Sequence, residues 1–539
     1  RPAESPGVIA NVDDINNNIG NWAPQADFRF PERINPGLSK FSDIELEALY
    51  EDQVKTFVDY QAKVLLRSIQ QNPNADLVLG YIEQPDGSEH QFLLTDPRQA
   101  TDFTNPNSIG TSQDAAKVAR YAKYVETAYQ AANSAVQKVI DAVGVDASGK
   151  PNSNIIVTSD HGFTPFHTAV SMSNLLKNAG FDGTKVRAVF SGPAVNIYIN
   201  LKGREAAVAG VAQVEVAEYL TLQKQVLDFL KGFVDTNANY TNGAASVGVF
   251  DKIYNRDVPA NASVNDVINA RGAFIGQDTG DVFALLKTGY NFDGVQSTPV
   301  IRKGDTVTPT TAVLSVPNFY GTHGYDPTLP DMKAIFYAAG PDIIQQPLGS
   351  VRNIDIAPTI EKILDVTPAA TVNGKAIAIT NPFPSGVASG DTTQTSTVLW
   401  TRSQTPGTIT FEYSTKADFS SIAGTKTATV ASALQPVKVD VTGLTANTDY
   451  FYRAVDATGA KATGKFSTAA ATNTFTGLRF GVSGDWRGEL APYPAISNAV
   501  DRNLKFFVEH GDTIYGDVAS PAVKNPNGTE KEQSTTLAD

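Results

Sequence analysis

The sequence predicts an α/β fold, a mainly parallel sheet flanked by helices, followed by an all-β sandwich and an incomplete second α/β unit. Three observations carry this reading. Stretches with apolar residues at helical spacing, 42–70 and 112–142, each precede a short apolar run, and strands alternating with helices build a parallel sheet. Beyond the breaker cluster Asn381-Pro382-Phe383-Pro384-Ser385-Gly386 the pattern becomes short strands separated by turns, the mark of a sandwich. After Phe475 two further apolar runs each end in a Gly-Asp pair or close to one. The boundaries implied are 1–380, 381–472 and 473–539.

In chain order, residues 1–40 are rich in Asn and Pro and show little period. A capping box, Ser42-Asp43-Ile44-Glu45, then opens the first helix. Asp76-Leu77-Val78-Leu79-Gly80-Tyr81-Ile82 reads as a buried strand running into Glu83-Gln84-Pro85-Asp86-Gly87-Ser88-Glu89-His90. The second helix carries Val118, Ala122, Val125, Ala132, Val136, Val139 and Ile140 on one stripe. It leads to the strand Asn154-Ile155-Ile156-Val157-Thr158, which stops at Ser159-Asp160-His161-Gly162. A further strand is expected at 194–201. Tyr320-Gly321-Thr322-His323-Gly324-Tyr325 precedes the apolar run 333–339, and Ile354, Ile356, Ile360, Ile363 and Leu364 suggest a core helix.

An Asp-His pair at a strand's end offers an oxygen and an imidazole nitrogen to one cation, a donor set that suits Zn²⁺. In open α/β sheets ligands bind at that same edge. The chain has five histidines and no cysteine, and His90, His161 and His323 stand at Gly-flanked or Asp-paired positions. His167 and His510 read instead as hydrogen-bonded core or surface residues.

Composition narrows the function classes. A net charge of −13 opposes bulk binding to nucleic acid, whose phosphates call for cationic surface. No apolar run approaches the roughly 20 residues needed to span a bilayer. Without cysteine there are no disulfides from which to read a redox compartment. Arg1-Pro2-Ala3-Glu4 is no signal peptide, so any such segment is expected to have been removed or never included. The Thr-, Ala- and Asn-rich acidic composition suits a secreted, periplasmic or cell-surface bacterial protein.

In their order, Glu83-x-Pro85-Asp86-x-x-x-His90, Ser159-Asp160-His161-Gly162 and Gly321-x-His323-Gly324-Tyr325 resemble the alkaline phosphatase superfamily, in particular its type I phosphodiesterase and nucleotide pyrophosphatase branch. Asp331-Met332-Lys333-Ala334-Ile335-Phe336, Gly340-Pro341-Asp342 and Asn353-Ile354-Asp355-Ile356-Ala357-Pro358-Thr359 agree with it, so the resemblance spans 25–380. It implies two zinc ions close together and a Thr or Ser nucleophile forming a phospho-enzyme. One zinc would be held by Asp86, His90 and His323, and part of the other by Asp160 and His161. Two metals bracketing a phosphoryl group stabilise attacking and leaving oxygens alike. This sequence departs from the family in one respect. The strand with a further metal-binding Asp, and the helix headed by the nucleophile, are expected before the Glu-x-Pro-Asp motif and are not found there. The expectation is a fragment of a larger protein, completed by other polypeptides of the same precursor, or a paralogue without turnover.

Gly443-Leu444-Thr445-Ala446-Asn447-Thr448-Asp449-Tyr450 resembles the fibronectin type III corner, in which a tyrosine hydroxyl anchors a turn. Phe383-Pro384-Ser385-Gly386-Val387-Ala388-Ser389-Gly390-Asp391, Val398-Leu399-Trp400-Thr401-Arg402 and the two later strands look like the PhoD-type alkaline phosphatase family. That family pairs a small β-domain with a metallophosphoesterase domain using iron and calcium. Asp512 and Tyr515 match its Gly-Asp-x-x-Tyr ligands, and Asp485 stands where a cysteine ligand is usual. The sequence ends at Asp539, before the downstream ligands, so 473–539 is read as an incomplete metallophosphoesterase unit. The leading expectation is a zinc-dependent phosphomonoesterase or phosphodiesterase. The alternatives are an iron- and calcium-dependent PhoD-like enzyme and a non-catalytic secreted scaffold or binding protein.

Overall fold

The computed structural model describes residues 12–20, 41–146, 149–344, 348–364, 366–433, 435–457, 459–486, 499, 502–511, 520–524 and 530–531. The chain divides into two units, Arg1–Gln71 with Leu77–Ala338, and Asn72–Asp76 with Ala339–Asp539.

In the first unit, α1 (Asp43–Gln71) starts at the expected box, with Ser42 N–H donating to Glu45 Oε2 at 2.7 Å and Glu45 N–H to Ser42 Oγ at 3.4 Å. Its inner stripe is Leu46, Tyr50, Val54, Phe57, Val58 and Ala62, the i, i+4 and i+3 spacing of a half-buried helix. Next come α2 (Asp86–Phe92) and α3 (Ala115–Val143), the latter capped by Asp114 accepting from Ala116 and Lys117 N–H. Glu47 on α1, fully buried, accepts from Arg120 Nε on α3 at 2.5 Å, so an ion pair joins the two long helices.

Among the strands that follow are β1 (Ile155–Thr158), β2 (Thr164–Val170), β3 (Val186–Ser191), β4 (Ala194–Ile199), β5 (Phe250–Asn255), β6 (Val282–Leu286), β7 (Gly289–Asn291), β8 (Leu314–Ser315), β9 (Gly321–Thr322) and β10 (Phe336–Ala339). The order β3-β4-β6-β5 forms one antiparallel sheet. β2 pairs antiparallel with β8 and β9 and parallel with β7, and β1 pairs with β10. The main core lies against β4 and β6, where Val195, Ile197, Ile199, Val282, Ala284 and Leu286 meet Tyr219 and Val226 of α4 (Val216–Gly232). Beneath them Asp281, wholly buried, accepts from Arg204 Nη1 at 2.6 Å, Tyr219 hydroxyl at 2.8 Å and Ile199 N–H at 2.7 Å. A buried charge so surrounded keeps the hydrogen bonds it would otherwise make to water.

This is an α/β unit, but its ladders do not establish the mainly parallel sheet expected from strand–helix alternation. Alternation says nothing of direction once connections are hairpins, as between β3 and β4. The run 76–82 corrects a second expectation. It belongs to no ladder among the described residues, and Leu77, Leu79 and Tyr81 are 49%, 81% and 67% exposed. Apolar alternation makes a strand only where a neighbour takes up the backbone hydrogen bonds.

In the second unit, α5 (Ile356–Ile363) forms where a helix was expected, but it buries Pro358 and Thr359, and Ile354 ahead of it is half exposed. Two antiparallel sheets follow. One joins β11 (Val387–Gly390), β12 (Ser396–Thr401) and β15 (Val437–Thr442) in the order β11-β12-β15. The other runs β14 (Gly424–Val430), β13 (Gly407–Ser414), β16 (Asp449–Val455), β17 (Lys461–Ser467). Leu399, Ile409, Phe411, Val441, Tyr450, Tyr452 and Phe466 share one core between them, with β12 and β16 alternating inward and outward residues. Thr445 N–H donates to the Tyr450 hydroxyl at 3.0 Å, as expected of the corner. Finally β18 (Phe480–Ser483) and β19 (Phe506–Glu509) pair in parallel.

Candidate metal centre

Five of the sequence-predicted site residues, Asp86, His90, Asp160, His161 and His323, gather in the first unit. Asp86 and His90 sit four apart on α2, which sets both on one face of the helix. His161 follows β1 in the turn into β2, and His323 follows β9. β9 pairs with the start of β2, Gly321 opposite Pro165 and Thr322 opposite Thr164, and this register brings His323 to His161. Their rings stack at 3.6 Å between centroids.

The Asp86 carboxylate is the hub. Its Oδ2 lies 3.6 Å from His90 Nε2, and its Oδ1 lies 3.9 Å from His161 Nε2 and 3.6 Å from His323 Nε2. Donor atoms of Asp86, His161 and His323 all fall within 4.8 Å of one another. His161 Nε2 is also 3.6 Å from Asp160 Oδ1, on a mostly exposed side chain. The sequence reading divided these residues between two zinc ions, whereas here His161 of one set and Asp86 and His323 of the other form a single tight trio.

Backbone carbonyls orient two imidazoles. His90 Nδ1 lies 2.8 Å from Gly321 O and His161 Nδ1 lies 3.0 Å from Gly162 O. A carbonyl only accepts, so each Nδ1 carries a proton and Nε2 is the ring atom that faces Asp86, the arrangement of metal-bound histidines. Burial, then the neighbouring His161 and His90, push the His323 imidazole down to about 4, which leaves it neutral near pH 7. The donor set therefore fits a borderline cation such as Zn²⁺.

Two glycines let the backbones approach. A Cβ on Gly321 would lie 2.5 Å from Glu89 O, and one on Gly162 would lie 2.1 Å from Asp331 O. Gly162 is a point of contact, since the Asp331–Lys333 backbone passes directly over it.

Several residues around the cluster were not singled out from sequence. Phe163 packs edge-on to His90 at 4.8 Å and lies 5.3 Å from His323, and Phe319 lies 5.7 Å from His90. Both flank the motifs by one to four positions, which was the available signal. Tyr81, in the exposed run, has its phenol pushed up by partial burial and by Asp160 and Asp86. Glu89 is buried inside the α2 motif and accepts from the Tyr129 hydroxyl at 3.1 Å. Burial pushes its carboxyl up to about 7 against the lowering effect of that bond.

His167 and His510 lie outside the cluster, as expected. His167 is buried, its Nδ1 2.9 Å from Thr168 Oγ1, and burial followed by Arg98 pushes it down to about 3. In the second unit Asp485 stands at the end of β18 with φ +56°, its N–H donating to Gly511 O at 3.2 Å, and His510 N–H donates to Ser483 O at 2.7 Å. Asp512 and Tyr515 lie outside the described residues.

Fold and site together define an α/β protein with a histidine–carboxylate cluster at the ends of short elements. The family model described as type I phosphodiesterase / nucleotide pyrophosphatase matches residues 8–326, and the chain belongs to that family. Residues 369–470 match the N-terminal domain of PhoD-like phosphatases. Among solved structures, that of PhoD is 25% identical, covers 28% of this chain and has a TM-score of 0.25; this chain spans 32% of its length. A fibronectin type III domain of human collagen alpha-1(XX) is 14% identical, covering 20% of this chain and 95% of its own, with a TM-score of 0.15. No curated protein matches the sequence. No helix among the described residues is long and apolar enough to cross a membrane.

Proposed function

We propose that the first unit is a zinc-dependent phosphoesterase unit acting on phosphate mono- or diesters, in a secreted or cell-surface protein. Family membership supports the reaction class. The observation that carries the site is the convergence of three imidazole Nε2 atoms on the Asp86 carboxylate. In this reading Asp86, His90 and His323 hold one zinc, and Asp160 and His161 contribute to a second. Zinc so held supplies a Lewis acid and brings the pKa of bound water near 7.

The chain's own residues prepare that chemistry. Gly321 O and Gly162 O orient the His90 and His161 rings so that Nε2 faces Asp86. His323 is neutral for the reason given above. Phe163 and Phe319 pack edge-on against the His90 ring. No residue of this chain is assigned as the nucleophile.

The test is hydrolysis of nitrophenyl phosphate and bis-nitrophenyl phosphate by the intact protein with zinc supplied, beside the His323→Ala variant. Turnover abolished by the substitution supports the reading, and equal rates in both proteins overturn it.

A second reading places the activity in the C-terminal half, as a PhoD-like enzyme using iron and calcium through Asp485, Asp512 and Tyr515. The match over 369–470 favours it. There the two-sheet module, with its Tyr450 corner, is fibronectin III-like and serves as a packing domain. Elemental analysis of the active protein separates the readings, since zinc without iron or calcium counts against the second.

A further inference from the structure

We infer that Glu89 is a positioning residue of the metal centre, a buried carboxylate that clamps α2 against α3 and strengthens cation binding. This rests on the reading of the Asp86 cluster as a cation site. The helix α2 has seven residues and no side-chain cap at its start. So short a helix has little stability of its own. Yet it carries Asp86 and His90, whose placement sets the geometry of the cluster, so something outside the helix has to hold it.

Two contacts do so from opposite sides. Toward β9, His90 Nδ1 meets Gly321 O at 2.8 Å. Toward α3, the Tyr129 hydroxyl donates to Glu89 Oε1 at 3.1 Å. Glu89 lies between the two ligands, three residues after Asp86 and next to His90, and is 8% exposed. A carboxylate in that position costs free energy unless opposite charge compensates it. The Tyr129 hydroxyl supplies one neutral hydrogen bond and no charge. A divalent cation held by the Asp86 cluster supplies the missing compensation, so Glu89 favours the loaded state. Residues that orient or charge the ligands from behind are typically worth about 10- to 100-fold in metal affinity.

The experiment compares Zn²⁺ affinity by calorimetry, and the visible spectrum of the Co²⁺-loaded protein, for the full chain, Glu89→Gln and Tyr129→Phe. Glu89→Gln should weaken Zn²⁺ binding about tenfold or more. Tyr129→Phe should weaken it less and should shift the Co²⁺ bands, because the ligands lose part of their orientation. A residue that only stabilises the fold would lower the unfolding temperature and leave the affinity and spectrum of the folded protein unchanged. That outcome overturns the inference while the cluster reading stands. If Glu89→Gln does not fold, Tyr129→Phe decides, its side chain being half exposed. If the unsubstituted protein binds no Zn²⁺, the cluster reading fails and the inference with it.

Discussion

Gly162→Ala is the most demanding perturbation of the centre's architecture, because the structure states what the new methyl would meet. A Cβ there would lie 2.1 Å from Asp331 O, 2.8 Å from Lys333 O and 2.8 Å from Met332 C. All three are backbone atoms, so no side chain can rotate aside, and the shortest separation has to grow by about 1.3 Å to reach ordinary contact. Overpacking of this kind costs about 1–3 kcal/mol, and a contact this short belongs at the upper end. The shift falls on Gly162 N–H, which donates to Met332 O at 3.0 Å, and on Gly162 O, which holds His161 Nδ1. Both stability and Zn²⁺ affinity should therefore fall. Gly232→Ala is the control: its Cβ meets nothing within 4 Å, and Gly232 ends a helix, where alanine is neutral or stabilising by under about 1 kcal/mol. Urea unfolding of the cation-free proteins, followed by Zn²⁺ calorimetry, reads both effects. Equal stability of Gly162→Ala and Gly232→Ala would refute the close-approach argument.

Three other outcomes follow from the same physical reasoning. Asp281→Ala leaves Arg204 and the Ile199 N–H without their buried acceptor and should cost about 3–5 kcal/mol, read as a lowered denaturation midpoint; a change under 1 kcal/mol would contradict the network. Tyr450→Phe removes the acceptor of the Thr445 N–H and should destabilise the sandwich by about 1–3 kcal/mol, measured by calorimetric melting, with Zn²⁺ binding in the first unit unchanged. His167 is held near 3 in the folded protein against 6.5 when unfolded, so below pH 6.5 the unfolded chain binds the proton first. Its contribution is neutral above pH 6.5 and becomes destabilising as pH falls toward 3, with a slope of about 1.4 kcal/mol per pH unit. The difference in stability between His167→Gln and the unsubstituted protein should shift over that window, and a difference constant with pH would contradict the buried neutral imidazole.

The centre was legible because its residues sit in short local motifs: Asp86 and His90 one helical turn apart, Asp160 beside His161, His323 between glycines. The long helices were legible from the Ser42–Glu45 box and from helical spacing over 112–142, although Ala115–Val143 buries Tyr121, Ala128 and Ala135, none of them in the stripe expected from Val118 to Ile140. Strand pairing was not. The run 76–82 has the composition of a buried strand, yet burial depends on a neighbour that no local pattern names. The ion networks were hidden for a related reason, since Asp281 finds Arg204 and Arg302 finds Asp235 across 77 and 67 residues of chain. Nor could the grouping of His161 with Asp86 and His323 be read from motif order, because the β2–β9 register decides it. In the sandwich the inward residues of Ser396–Thr401 and Asp449–Val455 follow the period-2 pattern closely, which is why the short strands expected beyond the breaker cluster are found there.

The central claim is that Asp86 gathers the imidazoles into a cation site. Zn²⁺ calorimetry on the intact protein and on Asp86→Ala tests it most directly. The account predicts saturable binding by the unsubstituted protein that is weakened at least a hundredfold in Asp86→Ala, with circular dichroism unchanged. Equal Zn²⁺ affinity in the two proteins would contradict it.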